Sequence, residues 1–388
     1  MVIKDIPLIK ALISVVLVNA LVVCASAQNA HLSKWLFCNE YYLDFGQDKV
    51  QVKKLDNPYT RGMNVAWYLD GNGNIGLETR DGEIYNKDGE SIGEYDSRNY
   101  SRSVYFVPLN KNVVYCFRKK IYKIDLLNNA IAGVYDNPCS NNNYAVVKSS
   151  DCSRTWLFDV KNSVVSKYNL TDNGIEKTDY QYVLPVTTKN GFENDNWCLN
   201  FSKNCDFFTL SYIKSHDKNP QVFFGKFDRL NGIITDLYSY TFPNDITTVN
   251  NSIVAPDDSR IYYMVLRDVS NIFQSKSYYE YFEVPIVDGE PMYDMGKNIH
   301  AYEQRGGHSI CDMLYGPDNR IYLMNYAKKR IDVIEIQENN ETKFTESFFD
   351  VGYVFWDNRL HFPTDWHTDN PCREYEPCNV KAPVIICE

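Results

Sequence analysis

The chain says one thing twice. Tyr315 to Asn325 reads YGPDNRIYLMN, and about sixty residues earlier Val254 to Met264 reads VAPDDSRIYYM. Each copy joins an apolar approach, a Pro-Asp turn and an alternating apolar run. Proline presets φ at the second turn position, and Asp or Asn accepts a hydrogen bond from the backbone two residues on, so the polar stretch predicts a tight reversal. The flanking runs are short and rich in β-branched and aromatic residues, as strands are. Looser versions start at Trp67 (WYLDGNGNIGL), Val104 (VYFVPLNKNVVYCF), Val146 (VVKSSDCSRTWLF) and Trp197 (WCLNFSKNCDFFTLSY). Six phrases spaced roughly 40 to 60 residues apart imply a repeat architecture near the length of a four-stranded propeller blade.

Between the phrases no segment after residue 27 sustains an i, i+3, i+4, i+7 apolar pattern, whereas β-rich runs such as QVFFGKF, YYEYFEVPIV and RIDVIEI recur. Thirty tyrosines and twenty phenylalanines in such runs suit a pleated surface with one face buried. No Pro, Gly or Ser-rich linker interrupts residues 30 to 357, which argues against two sandwiches. The expected fold is all-β, a single β-propeller of four-stranded blades, with seven blades expected and six as the alternative. The N-terminal WLFCNEYYLDF is expected to complete a last blade with a C-terminal strand near YVFW.

Residues 1–27 read as a secretory leader: Lys4 and Lys10, an apolar stretch shorter than a bilayer span, and Ala25 and Ala27 on the small positions of a cleavage site. The expected organisation is leader 1–27, propeller 28–365 and a Cys-containing tail 366–388. Losing the leader shifts the formal charge from −10 to −11. No basic stripe stands against that balance, so nucleic acid is excluded as a partner and no membrane insertion of the mature chain is expected. Of eleven cysteines, Cys24 leaves with the leader. The even remainder points to disulfides in an exported chain. Cys198 with Cys205 is one candidate pair, flanking the turn FSKN; Cys372, Cys378 and Cys387 are further candidates in the tail.

The opening Trp35, Phe37, Asn39, Leu43, Asp44, Phe45, the D-x-x-G-N hairpin at Asp70 and the run Thr79 to Gly89, TRDGEIYNKDG, resemble the propeller region of Bacteroidetes exported proteins associated with gliding motility and type IX secretion. Arg80 and Glu83 vary from that pattern, and its closing G-L-P-N-F is here LHFPTDW. The resemblance implies an exported β-propeller in the periplasm, at the cell surface or outside the cell, and carries over no catalytic residue.

No motif identifies an enzyme. Asp70 to Asp81 begins like a calcium loop but has Ile75 where glycine is needed and Asp81 where a bidentate glutamate is needed. His361, Asp365 and His367 lack a third metal ligand and a ligand spacing. No cofactor and no metal are expected. Propellers bind at the channel mouth, on the loops that enter each innermost strand. In this register those loops carry the ligand-binding candidates Arg61, Arg102, Asp195, Arg305 and His308, with Asn64, Asn143 and Asn250 beside them; the glycines of EQRGGHSI let backbone approach a ligand. The expected function is a binding or scaffold protein for a protein or glycan ligand. The alternative is a propeller glycoside hydrolase or polysaccharide lyase with channel carboxylates, for which ENDNW (193–197) and the Asp257–Asp258 pair are the acidic candidates.

Overall fold

The computed structural model describes most of residues 34–350. Residues 1–33 and 351–388 lie outside the described residues, as do 38–40, 46–49, 57–64, 71–73, 81, 96–103, 140–143, 152, 187–196, 213–219, 244, 270–275, 304–312 and 326–329. The described residues form seven antiparallel sheets and one 3-10 turn, Tyr293–Met295. Sheet 1 has three strands, Lys34–Phe37, Tyr41–Asp44 and Gln51–Lys54. Each later sheet opens with a phrase from the sequence: sheet 2 at Trp67–Leu69, sheet 3 at Tyr105–Asn110, sheet 4 at Tyr144–Lys148, sheet 5 at Trp197–Phe201, sheet 6 at Ile246–Val254 and sheet 7 at Met313–Tyr315. Within each, sequence-adjacent strands pair as a meander, with a two-residue extra strand in sheet 6. All six repeated phrases are therefore the hairpin between the first and second strands of a sheet.

The sheets stand face to face like blades. A second strand is covered on both sides by neighbouring sheets, and Val113–Phe117 is buried at every residue. A fourth strand sits at the rim, and Ala130–Asp136 alternates exposed with half-buried positions. Each consecutive pair of sheets shares an apolar cluster. Leu77 and Ile84 of sheet 2 meet Phe106 and Val114 of sheet 3, and Val222 and Phe224 of sheet 5 meet Val249 and Ile261 of sheet 6. The series returns on itself: Leu43 of sheet 1 packs with Tyr322, Ile331 and Val333 of sheet 7, while Tyr42 packs on Trp67 and Leu69 of sheet 2. The chain is an all-β propeller. The expected pairing of the N-terminal strands with YVFW lies outside the described residues, since YVFW is not among them.

The thickest interface joins sheets 4 and 5, where Trp156, Phe158, Phe201, Phe223 and Phe227 are all buried. Phe227 meets Phe201 edge-on at 4.8 Å and Phe158 at 5.4 Å, the geometry favoured by the ring quadrupoles. Gly232 has φ +65°, and a Cβ there would sit 2.7 Å from Trp156, so both the turn and the packing require glycine.

Polar latches supplement these clusters. In sheet 4 the Lys167 ammonium donates to the carbonyls of Asn231 (3.1 Å) and Gly232 (3.0 Å), in the outer turn of sheet 5. Lys123 of sheet 3 donates in the same way to the Asp172 carbonyl of sheet 4, and Arg260 of sheet 6 to the Asn340 carbonyl of sheet 7 (3.0 Å). A turn has carbonyls without ladder partners, and a cation from the neighbouring sheet satisfies them.

Candidate functional site at the turn end of the ring

Three of the repeated hairpins close in one way. Ser202 N–H donates to the Phe207 carbonyl (2.8 Å), Ala255 N–H to Arg260 (2.7 Å) and Gly316 N–H to Arg320 (2.7 Å). Three residues into each turn the backbone turns left-handed, at Cys205 (φ 61°), Asp258 (φ 57°) and Asn319 (φ 63°). Asp and Asn tolerate that conformation best among residues with a side chain. Asp257 locks its own turn by accepting from the Ser259 N–H (3.1 Å) and hydroxyl (2.7 Å).

These turns meet at the ring axis. Asn204 in the sheet 5 turn donates to Asp258 Oδ2 in the sheet 6 turn (3.1 Å). Lys203 reaches past sheet 6 altogether and donates to Asn319 Oδ1 in the sheet 7 turn. A contact that skips a sheet requires the turns to converge on a common centre. Lys203 is only 3% exposed, so its side chain is enclosed where these turns meet. Further in, Asn200 of the first strand of sheet 5 donates to Asn251 Oδ1 (2.8 Å) and to the Ser252 carbonyl (2.6 Å) of the first strand of sheet 6.

Behind Lys203 lies a charged layer. Arg229, buried, donates from Nε to the Lys148 carbonyl (2.9 Å) and from Nη1 to the Asn204 carbonyl (3.1 Å), tying sheets 4 and 5 together. Its Nη2, and Oδ1 of Asp258, are buried with no hydrogen-bond partner among the described residues. Burial pushes the Asp258 carboxyl up to about 6, with the charges of Asp206 and Asp257 adding and hydrogen bonds from Asn204 and Ser202 opposing. Burial also raises Asp206, against the pull of Arg229. Chemically this end offers a buried cation, Lys203, and a carboxyl, Asp258, that burial raises to about 6.

The ligand-binding candidates Arg61, Arg102, Asp195, Arg305 and His308 lie outside the described residues, as do Asn64 and Asn143. Asn250 is described and half-buried, beside a register shift in the first strand of sheet 6. The candidate bridge between Cys198 and Cys205 is corrected: they are thiols that do not pair with each other. Cys198 stands opposite Ser211 in the strand ladder, and its sulfur contacts Asn251 (3.2 Å) in the next sheet. Cys205 is the left-handed turn residue, not a strand residue, and burial pushes its thiol up to about 12, which makes it unreactive. Cys372, Cys378 and Cys387 lie outside the described residues, as does the His361–His367 stretch. Of the Asp70 stretch, residues 71–73 lie outside the described residues; Asn74 N–H donates to Asp70 Oδ1 (2.9 Å), between two strands that pair with each other. No group of three or more His, Cys, Asp or Glu among the described residues is arranged to hold a metal, and among them no helix is long and apolar enough to cross a membrane.

Sequence reasoning flagged Asp257 and Asp258 as carboxylates but missed Lys203, Asn319 and Arg229. The available signal was the shared turn offset, which puts residues 205, 258 and 319 in equivalent places.

No family model matches the sequence, and no curated protein matches it. The likeness to gliding-motility proteins therefore stands only at the level of the propeller kind. Among solved structures the chain is similar to a putative 6-phosphogluconolactonase from Bacteroides fragilis at 11% identity, covering 82% of this chain and 96% of that one with a TM-score of 0.48. It is also similar to the periplasmic gluconolactonase of Pseudomonas aeruginosa at 13% identity, over 85% and 99% of the two chains with a TM-score of 0.48. A protein from Lactobacillus plantarum aligns at 13% identity, over 79% and 90% with a TM-score of 0.49. At such identities and scores these likenesses say nothing of what this chain acts on.

Proposed function

We propose that the chain is an exported seven-bladed propeller that binds a protein or glycan ligand at the channel mouth opposite the turns and leaves it chemically unchanged. The observation that supports this reading is the Lys203–Asn319 contact, which bridges the turns of sheets 5 and 7 and occupies that end of the ring with a buried side chain. The opposite end of the ring is where the first strands begin, at Trp67, Tyr105, Tyr144, Trp197, Ile246 and Met313. The loops that carry Arg61, Arg102, Asp195, Arg305 and His308 precede four of these strands in sequence, those that start at Trp67, Tyr105, Trp197 and Met313. Donors on several loops around one mouth suit carboxylate, sulfate or hydroxyl groups of an extended ligand. Export rests on the leader sequence.

A second reading, a propeller hydrolase, is favoured by Asp258, whose raised carboxyl beside Asp206 is the kind of group that serves as a general acid. One experiment separates the two. The mature chain, residues 28–388, is applied to a glycan array and incubated with a panel of polysaccharides and sugar lactones. The binding reading expects capture of a ligand class without turnover, weakened at least about tenfold by joint Arg305→Ala and His308→Ala substitution. Released reducing sugar or opened lactone that disappears in Asp258→Asn would replace it with the hydrolase.

A further inference from the structure

The turns that follow the third strands of sheets 3, 5 and 6 carry aliphatic side chains that the fold does not use. First and third strands of an antiparallel meander run the same way, so these outer turns share the turn end of the ring with Lys203. In sheet 3 the turn follows Lys120–Asp125 and reads DLLNN; in sheet 5 it follows Gln221–Asp228 and reads DRLNG. Both are built alike. Asp125 Oδ1 accepts from the N–H groups of Leu127 (2.9 Å) and Asn128 (3.2 Å), and its Oδ2 from Asn128 Nδ2 (2.7 Å). Asp228 repeats this with the N–H groups of Leu230 (2.9 Å) and Asn231 (3.1 Å) and with Asn231 Nδ2 (2.7 Å). Asp and Asn therefore fix each turn, and the leucine between them adds nothing to it. Leu127 is 73% exposed and Leu230 48%, and Val287, which ends the third strand of sheet 6, is 46% exposed. Exposed aliphatics at matching places of three turns differ from the single apolar residues scattered over any surface.

These turns are neighbours. Lys123 of sheet 3 donates to the Asp172 carbonyl in the turn of sheet 4, and Lys167 of sheet 4 to the carbonyls of Asn231 and Gly232 in the turn of sheet 5. Lys226 of sheet 5 lies against Gly289 in the turn of sheet 6, with its ammonium on Asp236 (3.6 Å). The cations of this arc thus serve the fold, as Arg229 does on the carbonyls of Lys148 and Asn204. Its carboxylates are unmatched. Among the described residues no ion pair engages Asp125, Asp151, Asp172, Asp206, Asp228 or Asp288. The exposed cations among the described residues of these turns are Lys111 and Arg154, both in inner turns. Hydrogen bonds from Asn128, Asn231 and Ser149 hold the carboxyls of Asp125, Asp228 and Asp151 below their usual range, so all three are ionised at neutral pH.

We propose that this arc, with Leu127, Leu230 and Val287 set among the carboxylates of sheets 3 to 6, docks a protein segment that carries lysine or arginine beside apolar side chains. The apolar tips are the anchors, and the unmatched carboxylates select the sign of the partner. An anionic membrane meets like charge here. So does a second copy of this chain, because an isologous contact would set the same acidic arc against itself. The arc faces away from the loops proposed to hold a ligand, so this inference goes beyond the mouth and does not depend on it.

Titration of the full mature chain with an amphipathic helical peptide of lysine and leucine tests this, with a peptide of glutamate and leucine in the same pattern as the control. The expected result is saturable binding of the lysine peptide alone, weakened at least about tenfold by joint Leu127→Ser and Leu230→Ser substitution. Joint Asp172→Asn and Asp288→Asn should weaken it about threefold or more, and salt at about 0.3 M should do the same. Val183→Ser, an equally exposed position at the opposite end of the outer strand of sheet 4, should leave binding unchanged. All these positions are exposed, and an unchanged Tm separates lost docking from lost folding. Failure of the lysine peptide to bind would overturn the proposal, as would binding that survives the leucine pair or equal binding of the glutamate peptide. Self-association, or capture by phosphatidylglycerol vesicles, that the leucine pair abolishes would overturn it in favour of those occupants.

Discussion

The interface between sheets 4 and 5 and the seam where sheet 1 meets sheets 7 and 2 do the same job with different materials. In the first, Trp156, Phe158, Trp197, Phe201, Phe208, Phe223 and Phe227 are all buried, and Lys167 and Arg229 stitch the turns. At the seam the buried residues among those described are Leu43, Tyr322, Ile331 and Val333 on one side and Trp67 and Leu69 on the other. Apolar area buried scales with stabilisation, so among the described residues the ring is closed but uneven. Its middle holds itself together, while its first sheet depends on both neighbours.

The sharpest way to break the comparison is to empty each side of it. Trp156→Ala should cost about 3–5 kcal/mol in equilibrium denaturation, because the indole packs against Phe227 and Gly232 and little can collapse into its space. Leu43→Ala should cost about 2–3 kcal/mol, the low end for a buried leucine, since fewer rigid rings surround it. A seam cost equal to or above that of the middle would contradict the uneven ring.

The turn end adds a pH dependence through Asp258 in the sheet 6 turn, on the side of the ring away from sheet 1. Asp258 is raised from its ordinary value of 3.8 to about 6. Its bound proton stabilises the fold fully below the unfolded value, and that contribution is lost as pH rises through about 6. Asp258→Asn should therefore raise stability at pH 8 by up to about 3 kcal/mol and leave it nearly unchanged at pH 3.5. Chemical denaturation at the two pH values measures this, and an equal effect at both would detach the shift from Asp258. A smaller loss, about 1–2 kcal/mol, is expected from Lys167→Met, which keeps the aliphatic stem over Trp156 but strands the carbonyls of Asn231 and Gly232.

The repeat was legible because a hairpin is local. Pro-Asp at 256–257 and 317–318, and the looser turns upstream, each lie between strands that pair with one another, so reading along the chain finds both partners. The same local habit misread Cys198 and Cys205. Seven residues apart across a turn, they look like cross-strand neighbours, but the loop extends far enough to include Cys205, and Ser211 takes the place opposite Cys198. The turn-end site was hidden for the opposite reason. Lys203 and Asn319 are 116 residues apart, and only the closing of the ring makes them partners. Nothing in the residues beside Arg229 marks it, since the carbonyl it caps belongs to Lys148 of sheet 4. The three-strand first sheet was likewise invisible to periodicity, since its strands match in type and length those that begin any other sheet.

The central claim is that the ring closes through sheet 1 packing on sheet 7. A double-mutant cycle on Leu43→Ala and Ile331→Ala tests it most directly, since the two side chains belong to strands nearly 290 residues apart and share one cluster. The account predicts that the two costs fail to add by more than about 0.5 kcal/mol. Additivity within about 0.3 kcal/mol would mean that the residues do not touch and that the ring is open at this seam.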